Sequence, residues 1–204
     1  MIEFIVGSSL AAAAGLNAWM PLFLLGLADR LLPAVQLPTG WSWLSSDLAL
    51  WIVGALLVLE IIADKIPALD SVNDLVQSLV RPAAGGVAFG AGASAQTVAV
   101  DDPASFFASG SWIPIATGIV IALVVHVVKA AARVAANATT GGLAAPVLST
   151  AEDAASFVLA AAAIIVPALA IILLVGLIVT AVVLIRRRAQ KRRMNVQPNG
   201  GVRR

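Results

Sequence analysis

Charged side chains recur at helical spacing within two otherwise apolar stretches of the sequence. Glu60 and Asp64 are four residues apart, and His126, Lys129 and Arg133 follow one another at +3 and +4. Each set therefore lies on one face of a helix. An unpaired ionisable group in hydrocarbon costs roughly 2.5–3.5 kcal/mol. We therefore expect the acidic face to pack against the basic face in a polar interior, an arrangement suited to proton-coupled or cation-coupled transport.

Neighbouring polar residues extend these two faces. The candidates for a substrate or ion path are Glu60, Asp64, Lys65, Asp70, Asp74, Arg81, His126, Lys129, Arg133, Asn17 and Asn137. Two other interpretations stay open: the charges are snorkelling anchors in the headgroup zone, or they form a buried network with a purely structural role. Asn17 lies inside an apolar stretch and is more typical of an interhelical hydrogen bond than of a ligand.

Metal and enzyme motifs are absent from the sequence. His126 is the single histidine and there is no cysteine, so the imidazole has no partner with which to complete a metal site. The sequence contains no His-Glu-x-x-His, no Gly-x-Ser-x-Gly and no phosphate-binding glycine-rich loop. We expect no cofactor and no enzymatic activity.

The elements that position these residues are predicted from composition. The chain has 204 residues, of which 60% are hydrophobic and 12% charged, whereas soluble domains carry about 25% charged residues. A hydrocarbon core of ~30 Å takes about 20 helical residues. Four stretches are long and apolar enough: residues 2–28, 48–66, 112–128 and 154–185. The predicted fold is all-α, a polytopic membrane protein with four to six membrane segments.

The ends of these stretches carry local signals. Ser45-Ser46-Asp47 is a candidate N-cap for the second stretch, and Pro67 ends or kinks it. The third continues towards Asn137. The fourth is too long for an upright span and must tilt, bend or break at Pro167. In front of it, Glu152-Asp153 is interpreted as an N-cap and first-turn acidic pair, and a cation site there is the alternative.

The segments between them are less regular. Residues 82–100 are rich in Ala and Gly and either span the membrane or re-enter it. The loop 29–47 contains Trp41 and Trp43, which suggest an interfacial position, and residues 101–111 are expected to form a polar hairpin.

A possible internal repeat emerges when the apolar background is ignored. Asp70, Asn73, Gln77 and Arg81 have the same spacing as His126, Lys129, Arg133 and Asn137, and both sets are followed by a Gly pair, at 85–86 and 141–142. We interpret this as a diverged duplication. Chance matching in an Ala- and Gly-rich chain is the alternative.

Basic residues are concentrated in the last nineteen positions. Residues 186–204 hold seven Arg and Lys191 with no acid, and the five basic residues elsewhere face eleven acidic ones. Basic flanks stay cytoplasmic during insertion. We expect an integral membrane domain over 1–185 and a disordered cytoplasmic tail over 186–204 that contacts anionic headgroups and not nucleic acid. The first stretch lacks a basic leader and is expected to be retained.

The same residues carry a family resemblance over nearly all of 5–185. The chain resembles an uncharacterised family of small bacterial integral membrane proteins, known only as a domain of unknown function. The resemblance rests on Ala14-Gly15-Leu16-Asn17, Glu60-Ile61-Ile62-Ala63-Asp64-Lys65-Ile66-Pro67, Asp70 with Asp74, Arg81-Pro82, His126-Val127-Val128-Lys129-Ala130 with Arg133, and Ser149 with Glu152-Asp153. It implies a multi-pass inner-membrane protein and supplies no activity.

A looser similarity is to cation/proton exchangers whose two repeats carry Glu-x-Gly-Asp-Lys. Here Glu60 and Asp64 are four residues apart instead of three, and the glycine is absent. The second half has His126 and Lys129 where those exchangers have carboxylates.

We therefore expect a small transporter or channel-like permease for an ion or small polar solute. It is expected in the bacterial inner membrane, either as a single chain or as a homo-oligomer. The alternative is a non-transporting scaffold or an accessory protein that binds anionic lipid. An intramembrane enzyme that depends on His126 is a more distant alternative.

Overall fold

The computed structural model describes residues 2–93, 110 and 112–196, apart from the side chains of residues 67–72, 74, 181, 184, 185 and 188–196. Within these residues every regular element is a helix. In chain order they are α1 (Ile2–Leu16), α2 (Trp19–Leu31), a 3-10 helix (Thr39–Ser45), α3 (Asp47–Ala63), α4 (Pro67–Gly92), α5 (Trp112–Thr140), α6 (Ala145–Ile165) and α7 (Pro167–Val196). The predicted all-α class is confirmed for this part of the chain.

Several helix ends follow from local residues. The hydroxyl of Ser46 accepts a hydrogen bond from the amide of Ala49 at 3.3 Å and caps α3, as the sequence predicts. Helix α4 begins at Pro67, whose missing N–H is not needed in a first turn. After α5, Gly141 and Gly142 have φ angles of 61° and 89°. Only glycine adopts this conformation without strain, and α5 ends there.

The first apolar stretch is broken. The sequence predicts one span over residues 2–28, but α1 stops at Leu16 and α2 starts at Trp19. Asn17 and Ala18 separate them, and both are fully buried. The prediction of a continuous helix is wrong here, because groups from other helices bind the backbone at the break.

The last apolar stretch is also divided. Helix α6 begins at Ala145, with a proline in its first turn, and ends at Ile165. Glu152-Asp153 therefore lies in the second turn or beyond, and its interpretation as a first-turn pair is wrong. Of the three alternatives left open for this stretch, tilt, bend or break at Pro167, the structure shows the break, since α7 begins there. Helix α7 continues to Val196 and so includes the first part of the basic segment expected to be disordered.

Small residues bring α4 and α5 together. Helix α1 packs against α4, α5, α6 and α7, and the most extensive helix contact is between α4 and α5. A Cβ on Gly118 would lie 2.5 Å from Cβ of Phe89, and one on Gly85 would lie 2.8 Å from the carbonyl oxygen of Gly118. Such close approach of two backbones requires glycine. It holds the polar faces of α4 and α5 side by side.

The outside of the molecule is apolar. Trp51 on α3 and Leu79 on α4 are each 80% exposed, and they are joined by many other large apolar side chains on α3, α5, α6 and α7. Contiguous apolar surface of this kind marks an interaction with lipid or protein. Because charged side chains lie inside, the distribution is compatible with a membrane protein.

Two helices, α5 and α6, are each long and apolar enough to cross a membrane. The 3-10 helix and α3 meet at a bend of 63°, and together they make a third span if the pair is counted as one broken helix. These numbers cover the described residues only. The prediction of four to six segments is not confirmed, because the break leaves α1 and α2 with 15 and 13 residues.

Three smaller predictions have different outcomes. Trp43 is half exposed, whereas Trp41 is buried beside Gly90 and packs against protein. Residues 82–92 continue α4, while residues 94–100 and nearly all of the predicted hairpin 101–111 lie outside the described residues.

In the internal repeat, Gly85-Gly86 is helical whereas Gly141-Gly142 forms a turn, so the glycine pairs are not equivalent.

Candidate functional site

Eight charged side chains converge between α3, α4, α5 and α6. We refer to them as the charged network: Glu60, Asp64, Lys65, Arg81, Lys129, Arg133, Glu152 and Asp153. They include four of the five Lys and Arg residues that precede the basic tail. Buried charges persist in a protein only when they are paired and hydrogen-bonded, and pairing is what the geometry provides.

Asp64 is at the centre of the charged network. It immediately follows α3 and is 1% exposed. Its Oδ2 lies 3.2 Å from Nη2 of Arg133, 3.3 Å from Nζ of Lys129 and 3.4 Å from Nη2 of Arg81. Its Oδ1 accepts a 2.6 Å hydrogen bond from Nδ2 of Asn73. One carboxylate thus joins α4 to α5 through three cations.

The break between α1 and α2 lies against this cluster. Nζ of Lys129 donates to the carbonyl oxygen of Leu16, the last residue of α1, at 2.6 Å. The carboxylate of Glu60 accepts from the amide of Ala18, just before α2, at 3.1 and 3.3 Å. A helix C-terminus is partially negative and an N-terminus partially positive. Each end of the broken helix therefore faces a side chain of the opposite charge.

Asn17 holds the break itself. Its Oδ1 accepts from the amides of Trp19 and Met20 at 3.2 and 3.0 Å, and its Nδ2 donates to Oδ1 of Asp153 at 2.9 Å. One side chain thus caps α2 and ties it to α6. Nζ of Lys65 lies 3.2 Å from the other oxygen of Asp153, which connects this pair to the break.

His126 extends the cluster along α5. Its Nδ1 lies 3.0 Å from Nη1 of Arg81, and its Nε2 lies 3.3 Å from Oγ of Ser78. Because a guanidinium only donates hydrogen bonds, Nδ1 must be the acceptor. This geometry predicts a neutral ring with its proton on Nε2, directed to Ser78.

Exposure differs between the two sides of the charged network. The side chains of Glu60, Asp64, Arg81, Lys129 and Arg133 are at most 1% exposed, whereas that of Lys65 is 36% exposed. Glu152 and Asp153 are intermediate, at 14% and 12%. The charged network is therefore open to the molecular surface at Lys65 and closed on the Arg81 side.

The structure brings together most of the residues singled out from the sequence. Glu60, Asp64, Lys65, Arg81, His126, Lys129, Arg133 and Asn17 all lie in or against the charged network. The snorkelling interpretation is wrong for Lys129 and Arg133, because both are buried inside protein. Asn137 lies one turn beyond Arg133, and its Oδ1 has no hydrogen-bond partner among the described residues. The side chains of Asp70 and Asp74 lie outside the described ones.

Sequence reasoning missed part of the site. Glu152 and Asp153 were interpreted as capping acids, although Ser149, Asp153 and Ser156 recur at i, i+4 and i+7 and all are buried on α6. This polar face on an apolar helix is the signal that identifies them. Oγ of Ser156 donates to the carbonyl oxygen of Ala13 at 2.9 Å, so α6 contacts α1 just before the break.

Most of the chain matches a known protein family. Residues 4–187 match a family described as a domain of unknown function, DUF4126. The chain belongs to this family. The resemblance to a family known only as a domain of unknown function is thereby confirmed, and the DUF4126 match includes every member of the charged network. No curated protein and no solved structure matches the chain.

Proposed function

We propose that this DUF4126 protein is a small membrane permease, and that an ion or small polar solute passes the break between α1 and α2. The carrying observation is that the two broken helix ends are bound by opposite charges, Leu16 by Lys129 and Ala18 by Glu60. Discontinuous helices whose ends meet a polar site are a recurrent device for binding substrates and ions in transporters. Irregular backbone at membrane depth occurs where it is buried in protein or lines a cavity.

Energetics also support a role beyond structure. Replacing buried ion pairs by well-packed apolar residues is often neutral or stabilising. Stability alone therefore does not explain why this chain keeps charged side chains from four helices in its interior. Ionisable groups at such positions characterise ion paths and proton relays. The Lys65 edge supplies an entrance, and the sealed Arg81 side supplies the barrier that a transporter must open.

The membrane arrangement belongs to the same proposal. The protein lies in the bacterial inner membrane with four to six segments, the broken α1–α2 pair counting as one and the apolar part of α7 as another. The basic end of α7 faces the cytoplasm, as basic flanks do. It carries out no chemical conversion and works alone or as a homo-oligomer. A reporter protein that works only in the cytoplasm should therefore be active when it is fused after residue 204.

Flux of Na⁺, K⁺ and protons into liposomes tests the proposal. We expect Glu60→Gln and Asp64→Asn to lose most of the flux, because Glu60 binds the broken end of α2 and Asp64 pairs with Lys129, which binds that of α1. Asp47→Asn is the matched control, since Asp47 forms an exposed ion pair with Arg30 away from the site. Circular dichroism and gel filtration verify folding; where Asp64→Asn does not fold, Glu60→Gln decides. Wild-type flux in both variants would contradict the proposal.

A lipid-binding accessory role is the competing function. It is favoured by Arg186 and Arg187, which are exposed in the second half of α7 where its basic segment begins. Lys129 and Arg133 are buried and do not reach headgroups, so this role depends on the tail alone. Anionic lipid that co-purifies with the protein and is lost from Arg186→Gln/Arg187→Gln, with no flux for any ion, would favour it.

A further inference from the structure

We propose that an open groove between α6 and α7 holds an acyl chain of one anionic phospholipid, and that Arg187 binds its phosphate. The groove has a volume of about 210 Å³, below the roughly 300–1,000 Å³ of pockets for compact ligands, which suits a narrow chain. Its lining includes Leu16, Leu159, Leu173, Gly176, Leu177 and Thr180. This inference uses the proposed membrane arrangement and is independent of ion flux.

The walls of the groove are suited to hydrocarbon. Among the described residues that line it, only Thr180 has a polar side chain. Its hydroxyl donates to the carbonyl oxygen of Gly176 at 2.8 Å and so needs no further partner. A Cβ on Gly176 would meet nothing within 4 Å, so this position leaves room for an occupant. Inside a bilayer such an occupant is held by van der Waals packing against the walls.

A basic residue lies in line with the groove. Leu173, Thr180 and Arg187 follow one another at intervals of seven residues, or two turns, and therefore share one face of α7. Arg187 is exposed and lies about 10 Å beyond Thr180 along the helix axis. The chain has no acidic residue after Asp153, so no carboxylate on α7 neutralises it. Guanidinium binds phosphate by paired hydrogen bonds, and a phosphate at Arg187 continues the line of the groove.

A second groove shows why the headgroup is expected to be anionic. It lies between α2 and α6, has a volume of about 220 Å³, and is lined by apolar residues that include Leu24, Ala28 and Ala161. The basic residue on α2 is Arg30, and Asp47 already pairs with it. The two grooves are alike in size and composition, so charge separates them. We expect the second groove to show no preference between headgroups.

The first groove also reaches the break between α1 and α2. Leu16 is part of its lining and is the last residue of α1, whose carbonyl oxygen accepts from Lys129. A chain in the groove therefore packs against the broken end of α1. Because lipid bound there stabilises the folded state, it should raise Tm by roughly 3–6 °C at ten times Kd.

Native mass spectrometry of the full-length protein in detergent, titrated with phosphatidylglycerol or phosphatidylcholine, tests the groove. Wild type should bind one phosphatidylglycerol about fivefold more tightly than phosphatidylcholine, the factor expected from one arginine. Gly176→Leu fills the groove and should lose this binding and the rise in Tm. Ala161→Leu, which fills the second groove, is the matched control and should keep both. Where Gly176→Leu does not fold, Ala155→Leu on the opposite wall replaces it.

Two neighbouring arginines test the headgroup contact. Arg187→Gln should weaken phosphatidylglycerol binding about fivefold and leave phosphatidylcholine binding unchanged. Arg186→Gln is the matched control, because it removes the same charge from a position turned by about 100° around the helix, and its effect should stay below about twofold.

Three outcomes would overturn the inference. Equal losses from Arg186→Gln and Arg187→Gln, or phosphatidylglycerol binding that persists in the variant with the filled groove, would show a general attraction to the basic segment. A dimer without bound lipid that Gly176→Leu converts to monomer would show that a second copy of the chain occupies the groove.

Discussion

Nη1 of Arg81 lies 3.0 Å from Nδ1 of His126, and the donor-only guanidinium fixes the tautomer of the ring. We predict that His126 is neutral and carries its proton on Nε2. Nitrogen-15 NMR of histidine-labelled protein distinguishes the two ring nitrogens by their chemical shifts. Because His126 is the single histidine, the spectrum needs no assignment. A protonated Nδ1 would show that the Arg81 contact has another geometry.

Removing the central carboxylate should destabilise the fold. Asp64 faces Arg81, Lys129 and Arg133, and Asp64→Asn leaves these cations without their shared partner. Breaking a buried ion pair from one side costs about 3–5 kcal/mol. The free energy of unfolding, measured by denaturant titration in mixed micelles, should fall by this amount. Asp47→Asn, which removes an exposed pair, should cost no more than about 1 kcal/mol.

Asn17 and Asp153 should be energetically coupled across the break. Asn17→Asp places a second carboxylate against Asp153, where Nδ2 now lies 2.9 Å from Oδ1, and an uncompensated buried charge costs roughly 3 kcal/mol or more. The exchanged pair Asn17→Asp/Asp153→Asn restores one amide and one carboxylate. We expect a favourable coupling of at least about 1 kcal/mol in the double-mutant cycle. Simple additivity would mean that the two side chains do not interact.

The contact between α4 and α5 should not tolerate a methyl group. Gly118→Ala would place Cβ 2.5 Å from Cβ of Phe89, and overpacking of this kind costs typically about 1–3 kcal/mol. Gly176→Ala is the control, because that glycine is exposed on α7 with nothing within 4 Å. The control should be neutral or more stable by up to about 1 kcal/mol, from helix propensity. Thermal unfolding in detergent compares them, and equal Tm values would contradict the close contact.

The sequence predicted the features that depend on local periodicity. The helical spacing of Lys129 and Arg133 placed both on one face, and their expected meeting with the acidic face is seen at Asp64. Local signals also placed the N-cap of α3 within Ser45-Ser46-Asp47 and marked Pro167 as a point where the last stretch could break. Propensity and spacing within one helix need no knowledge of the neighbours.

The break between α1 and α2 was not predictable in this way. No proline lies at the break, and Gly15 before it is part of α1. The backbone opens because Glu60 and Lys129 bind its ends from other helices. The polar face of α6 was missed because its acids follow Ser149 and so look like a capping sequence. Tertiary partners therefore set the break, whereas the polar face of α6 was a local signal that was misinterpreted.

The partners that hold the broken helix also set an order of events during synthesis. Glu60 is 42 residues downstream of Ala18, and Lys129 is 113 residues downstream of Leu16. At about 5–20 residues per second, the ribosome reaches Lys129 roughly 5–25 s after Leu16. Lipid offers no substitute donors or acceptors in that interval, so we expect residues 2–31 to leave the translocon as one unbroken helix. The opening at Asn17 is then a late step of assembly, completed only when α5 arrives.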